Sequence, residues 1–99
     1  VVNKDFAENH TDALVRFLND YKNSVDYVNT NENAAELIVK FGIIPKLEIA
    51  KSAIPNSNIC LIEGEEMQNK VEHFLKVLFD ANPKSVGGKM PSEDFYFKK

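Results

Sequence analysis

The chain has little cysteine, no excess of positive charge and no long apolar run. Each of these shortages excludes a class of protein or of partner. Only one of its 99 residues is cysteine, so an internal disulfide is excluded. Its 15 acidic residues outnumber its 12 lysines and arginines, which argues against nucleic acid as a partner because phosphates require a cationic surface. The apolar runs span only a few residues, whereas a transmembrane helix needs about 20.

Glycine and proline are also sparse, with four residues each, and this excludes collagen-like and low-complexity chains. The composition, 43% hydrophobic and 27% charged, is that of an ordinary globular protein. A chain of this length forms one domain at most and buries little more than about 60% of its unfolded surface. We therefore expect one unit over residues 1–99, with a modest core.

The spacing of apolar residues predicts that this unit is mainly α-helical. Asn9 and Asp12 resemble a capping box, and a helix of roughly twenty residues follows them. Asn31 is expected to cap a second helix, which ends at Gly42 in a left-handed cap.

Two more helices and a short apolar segment complete the predicted fold. Pro45 opens a short helix that Pro55 stops, and Gly64 begins the last long helix. The segment 59–62 is read as one short strand or extended stretch. The last helix is apolar on two sides, so it requires cover on two sides.

No residue pattern indicates catalysis, and we expect a protein that is not an enzyme and has no metal or cofactor. Cys60 lies in an apolar run and is expected to pack in the core. Two histidines and one cysteine at these spacings match no zinc pattern. Carboxylates at the start of the last helix suit its positive end, while the aromatic residues 95–97 are expected to lie on an apolar surface of the same protein.

Three stretches of the sequence, 53–56, 62–67 and 83–88, carry a resemblance that extends over essentially the whole chain. The chain resembles the C-terminal part of ABC-transporter solute-binding proteins related to the nitrate, sulfonate and taurine binders. This resemblance implies a periplasmic-binding-protein type II fold, in which two α/β lobes close over one small solute. The chain would then begin within a strand and supply the terminal helices that pack on the first lobe.

The resemblance also implies partners and a location. The partners would be the upstream lobes of the same protein, a membrane permease and a small solute of the sulfonate or nitrate type. The location would be extracytoplasmic, either periplasmic or lipid-anchored. Asn58, Cys60 and Glu63 are the candidate neighbours of the solute cleft. The assignment of Glu63 depends on its position between the 59–62 segment and Gly64.

A different class of function is compatible with the same helical pattern. The chain could be a free-standing helical interaction module whose apolar faces pair with another protein. The sequence begins with Val1 and shows no export signal, which favours the solute-binding fragment. In either case we expect the isolated chain to self-associate through its last helix and its aromatic tail.

Overall fold

A computed structural model describes every residue from Val1 to Lys99, and it is mainly α-helical, as predicted. It contains five α-helices, two 3₁₀ turns and no strand. The helices are α1 (Lys4–Asn9), α2 (Thr11–Thr30), α3 (Ala34–Lys40), α4 (Leu47–Asn56) and α5 (Gly64–Ala81). The 3₁₀ turns are Pro83–Val86 and Glu93–Phe95.

The twenty-residue length predicted for α2 is confirmed, but its predicted cap is wrong. Asn9 is the last residue of α1, a short helix that the apolar pattern does not predict, and no side chain caps α2. The capping asparagine is instead Asn3, whose Oδ1 accepts a hydrogen bond from the Phe6 N–H at 3.3 Å. An asparagine therefore caps α1, one helix earlier in the chain than the sequence pattern predicts.

The end of α3 follows the sequence prediction closely. Gly42 has a φ of +73°, its N–H donates to the Val39 carbonyl, and the Ile43 N–H donates to the Ile38 carbonyl. This pair of hydrogen bonds is the Schellman motif, which satisfies carbonyls that the helix leaves free. At the other end, the prediction that Asn31 caps α3 is wrong: the N-cap is Asn33, and the Asn31 side chain accepts from the Asn33 N–H at 2.9 Å in the preceding turn.

Helix α4 runs one residue past Pro55, where the sequence pattern predicts a stop. The residues that follow supply hydrogen bonds to its last turn: Asn56 Nδ2 donates to the Ser52 carbonyl at 2.8 Å, and Ser57 Oγ donates to the Ala53 carbonyl at 2.6 Å. These side chains therefore bind carbonyls in the last two turns of the helix.

The segment 59–62 is not a strand, which corrects one of the two readings made from its sequence. It has no regular secondary structure, because no second strand is present to pair with it. The segment is held instead by Asn29, whose Nδ2 donates to the Ile59 carbonyl at 2.8 Å. The segment 59–62 is therefore an irregular connection that is hydrogen-bonded to the C-terminal turn of α2.

The chain divides into two compact units, Val1–Leu61 and Ile62–Lys99, which we call the N-terminal and C-terminal units. In the N-terminal unit, α3 packs on α4, and α2 contacts both. In the C-terminal unit, α5 packs on the turn at Pro83–Val86. The expectation that residues 1–99 act as a single helical unit stays a prediction.

Buried side chains are few in both units. The N-terminal unit buries Leu14, Val25, Ala34, Ala35 and Ala50, and the C-terminal unit buries Gln68 and Tyr96. No large side chain is completely buried. Because folding is driven mainly by burial of apolar surface, these small cores provide limited stability by themselves.

Candidate functional site

Two of the three candidate site residues, Asn58 and Cys60, lie at the end of the N-terminal unit. Both are exposed, and Asn58 has a φ of +50°, in the left-handed region that asparagine adopts more readily than most residues. The prediction that Cys60 packs in the core is wrong, since its side chain is exposed. Its neighbours in the segment, Ile59, Leu61 and Ile62, are partly buried instead.

An open depression of about 560 Å³ lies between the C-terminal turn of α2, the start of α3 and the last turns of α4. Polar side chains provide much of its lining. The lining residues are Val28, Asn29, Thr30, Asn31, Glu32, Asn33, Ala35, Glu36, Lys51, Ile54 and Pro55. Asn58 and Cys60 flank the residue that Asn29 binds, but neither lines the depression.

Glu63, the third candidate, belongs to the C-terminal unit and precedes α5 as its N-cap. Its Oε1 lies 3.0 Å from the Lys99 Nζ in an ion pair, and both side chains are about one third exposed. Its Oε2 is buried, and no protein group donates a hydrogen bond to it. Glu63 therefore keeps one oxygen able to accept a hydrogen bond.

A polar cluster in the C-terminal unit was not among the sequence candidates. The buried Gln68 donates through its Nε2 to Glu72 Oε1 at 2.8 Å and to both carboxylate oxygens of Glu93 at 3.1 Å. The Gln68–Glu72 spacing of four residues on α5 is visible in the sequence. The contact with Glu93 is not, because it joins residues that are 25 positions apart.

Tyr96 completes this cluster. Its side chain is only 8% exposed, and its hydroxyl is buried without a hydrogen-bond partner. Burial raises the pKa of the Tyr96 hydroxyl above its usual 10.0, and the negative charges of Glu72 and Glu93 raise it further. The phenol is therefore held in its neutral form to a higher pH than a free tyrosine.

An open groove of about 400 Å³ lies on the same unit and is lined by Asn69, Glu72, His73, Lys76, Met90 and Pro91. Amide, carboxylate, imidazole and ammonium groups can all hydrogen-bond a polar molecule there. No group of three or more histidine, cysteine, aspartate or glutamate side chains is placed to hold a metal ion. The groove can therefore contact a polar ligand.

No protein-family model, curated protein or solved structure matches this chain. The resemblance carried by the stretches 53–56, 62–67 and 83–88 thus stays a prediction. None of the helices is both long enough and apolar enough to span a membrane.

Proposed function

We propose that this chain is the C-terminal helical part of an extracytoplasmic solute-binding protein that serves an ABC import system. In this proposal its helices pack on the first lobe of the complete protein, and the solute lies in a cleft formed mostly by residues upstream. The observation that carries the proposal is the amount of apolar surface left uncovered on both units. The sequence resemblance supplies the identity of the partner.

The uncovered apolar surface is large compared with the core. Only six hydrophobic residues are buried, and three of them are alanines. In contrast, large hydrophobic side chains are exposed on every helix: Phe6 on α1, Phe17, Tyr21 and Tyr27 on α2, Leu37 on α3, Ile49 on α4, and Phe74 and Val77 on α5. Large contiguous apolar patches on soluble proteins mark binding surfaces, and we infer that these side chains contribute to such a surface.

Helix α5 shows this most clearly. Phe74 and Val77, three residues apart on one side of the helix, are 62% and 56% exposed, while Val71, Leu75 and Leu78 on the other side are partly buried. The exposed side of α5 also carries the lysine–carboxylate pairs Lys70–Glu66 and Lys76–Asp80. A helix of this kind is typical of a layer between two packed elements, which supports a position against a larger lobe.

The solute-binding proposal is tested with the complete gene product that contains residues 1–99. Isothermal titration calorimetry with taurine, other sulfonates and nitrate should detect one solute that binds with a dissociation constant in the micromolar range, about −8 kcal/mol. A gene product that contains no α/β lobe and binds none of these solutes would contradict the proposal.

Glu63 is the residue of this chain that we assign to the solute contact, because its Oε2 accepts no hydrogen bond from the protein. An ammonium or hydroxyl group of a solute could donate to it. We expect Glu63→Gln in the complete protein to weaken binding about tenfold, a loss of roughly 1.4 kcal/mol. The control is Lys99→Met, which removes the ion-pair partner and keeps the carboxylate. Unchanged affinity of Glu63→Gln in calorimetry would contradict a contact between Glu63 and the solute.

The second candidate function is a helical interaction module that pairs with another protein. The same exposed faces of α2 and α5 favour it, since they suit a partner chain as well as a lobe of the same chain. The two functions are distinguished by the molecules that cosediment with the natural protein. A separate polypeptide bound in a fixed ratio, with no solute, would favour the module.

A further inference from the structure

Residues 90–99 lie beside α5, and we call them the C-terminal tail. Three contacts within the C-terminal unit show the direction in which the tail runs. They are Met90 and Lys76 in the lining of the open groove, Glu93 hydrogen-bonded by Gln68, and Lys99 paired with Glu63. Successive tail residues therefore meet successively earlier positions of α5 and its N-cap, and the tail runs antiparallel to this helix.

The backbone of the tail stands away from α5. No Cα atom of the 3₁₀ turn Glu93–Phe95 lies within 8 Å of a Cα atom of α5, whereas the turn Pro83–Val86 packs directly on this helix. Residues 87–92 join the two turns and form no helix or strand. Long side chains bridge the gap between the turn Glu93–Phe95 and α5, so the tail can leave the helix without breaking the helix's own backbone hydrogen bonds.

Tyr96 is the one side chain of the tail that is buried. It is 8% exposed, whereas the neighbouring Phe95 is 63% exposed. Burial raises the pKa of the Tyr96 hydroxyl, and so does the charge of Glu72, which places this hydroxyl near α5. The hydroxyl is enclosed without a hydrogen-bond partner. A buried polar group without a partner destabilises the arrangement that buries it, because water would otherwise bind the group.

The charges between the tail and α5 also oppose close contact. Gln68 Nε2 donates to Glu72 on α5 and to Glu93 on the tail, so two carboxylates with like charges approach one amide. Lys98 Nζ lies 4.0 Å from Glu93 Oε2, but the Glu93 side chain is 81% exposed, so this ion pair contributes little. The middle of the tail is therefore held by one aromatic ring and a few polar contacts.

We propose that the C-terminal tail is a strap that detaches from α5 and reattaches while α5 stays helical. The unpartnered Tyr96 hydroxyl and the facing carboxylates of Glu72 and Glu93 keep the attached form only slightly favoured. The attached strap covers Gln68, and its detachment opens this face of α5 to water. The strap thus regulates access to that face. This inference does not depend on the proposed function, because every group in it belongs to the C-terminal unit.

The test measures how fast chymotrypsin cleaves after Tyr96 in the 99-residue chain. The ring must enter the hydrophobic slot of the protease, so Tyr96 must first leave its buried position. When the tail moves faster than the protease cuts, the cleavage rate follows the population of the detached form. We expect cleavage after Tyr96 to be at least about tenfold faster than cleavage after Phe74 on α5, because a strap opens more readily than a helix unfolds.

Mass spectrometry of the fragments gives both rates, and each rate is corrected by that of a short peptide with the same local sequence. Equal corrected rates at Tyr96 and Phe74 would show that the tail is released only when α5 unfolds, which overturns the inference. Tyr96→Phe keeps the ring and removes the unpartnered hydroxyl, so we expect cleavage after position 96 to become about threefold slower or more. An unchanged or faster corrected rate would also overturn the inference.

The same assay tests the contribution of the facing carboxylates. Glu72→Gln keeps an acceptor for the Gln68 amide and removes the charge that faces Glu93, so cleavage after Tyr96 should become about twofold slower. Glu65→Gln makes the same change at an exposed position of α5 and is the matched control, with the parent's rate expected. Equal effects of Glu72→Gln and Glu65→Gln would contradict a strap that these carboxylates help to release.

Discussion

Gly42 shows how one residue determines where a helix ends. Its φ of +73° is costly for any residue with a Cβ, although an added Cβ would meet no atom within 4 Å. We expect Gly42→Ala to lower the free energy of unfolding by about 1 kcal/mol through backbone strain alone. Gly42→Asn should cost less, because asparagine enters this region more readily. Urea unfolding of the two variants measures the difference, and equal stability of Gly42→Ala and the parent would contradict this account.

Tyr96 gives an expectation about pH. Its pKa is raised in the folded protein by burial, Glu72 and Glu93, so the unfolded chain loses this proton first as the pH rises. The contribution of Tyr96 is therefore fully present below about pH 10 and is lost as pH rises through the folded pKa.

Urea unfolding between about pH 8 and pH 11 measures this loss. Tyr96→Phe should show a smaller decline in stability than the parent. The exposed Tyr21→Phe is the control and should keep the parent's decline. Identical curves for the parent and Tyr96→Phe would show that the raised pKa does not influence folding.

The structural role of a residue could be predicted where it depends on local backbone conformation. It could not be predicted where it depends on contacts with distant parts of the chain. Gly42 was predicted correctly because a glycine after the last apolar position of a helix is a local signal. The burial of Cys60 was predicted wrongly because burial depends on what lies over a segment. For the same reason, Gln68 and Glu93 could not be paired from their positions in the chain.

At the scale of elements, the contact between α3 and α4 depends on small side chains. Ala34 and Ala35 on α3 and Ala50 on α4 are almost completely buried, and Ala50 is 0% exposed. We expect Ala50→Leu to lower stability by about 1–3 kcal/mol, because added methylenes have no space there. Ser52→Leu makes a similar change at an exposed position of α4 and should alter stability by less than about 0.5 kcal/mol. Similar urea midpoints for both variants would contradict close packing of these helices.

The elements that could be predicted were the long periodic ones. The length of α2 follows from apolar spacing, and the start of α5 follows from Gly64 and the glutamates after it. Helix α1 has only six residues, too few to show a period. The segment 59–62 has the composition of a strand, but a strand requires a partner, and the chain contains none.

At the scale of the whole molecule, the uncovered apolar surface should make the isolated chain self-associate. Phe74, Val77 and Phe95 are the exposed groups of the C-terminal unit that would be buried in such contacts. We expect sedimentation velocity to show oligomers that Phe74→Glu with Val77→Glu weakens by about tenfold or more, since this removes roughly 1.4 kcal/mol or more per contact. His73→Glu adds charge beside these residues without removing apolar surface and should have a smaller effect. A strictly monomeric parent at high concentration would contradict this expectation.

We propose that this chain is part of a larger solute-binding protein that covers its apolar faces. The most direct test is the intact mass and location of the natural protein that contains the sequence, measured by mass spectrometry on separated cell fractions. The claim predicts a protein much larger than the 11.2 kDa of this chain, found outside the cytoplasmic membrane and carrying an α/β lobe upstream. A cytoplasmic protein of 11.2 kDa would contradict it.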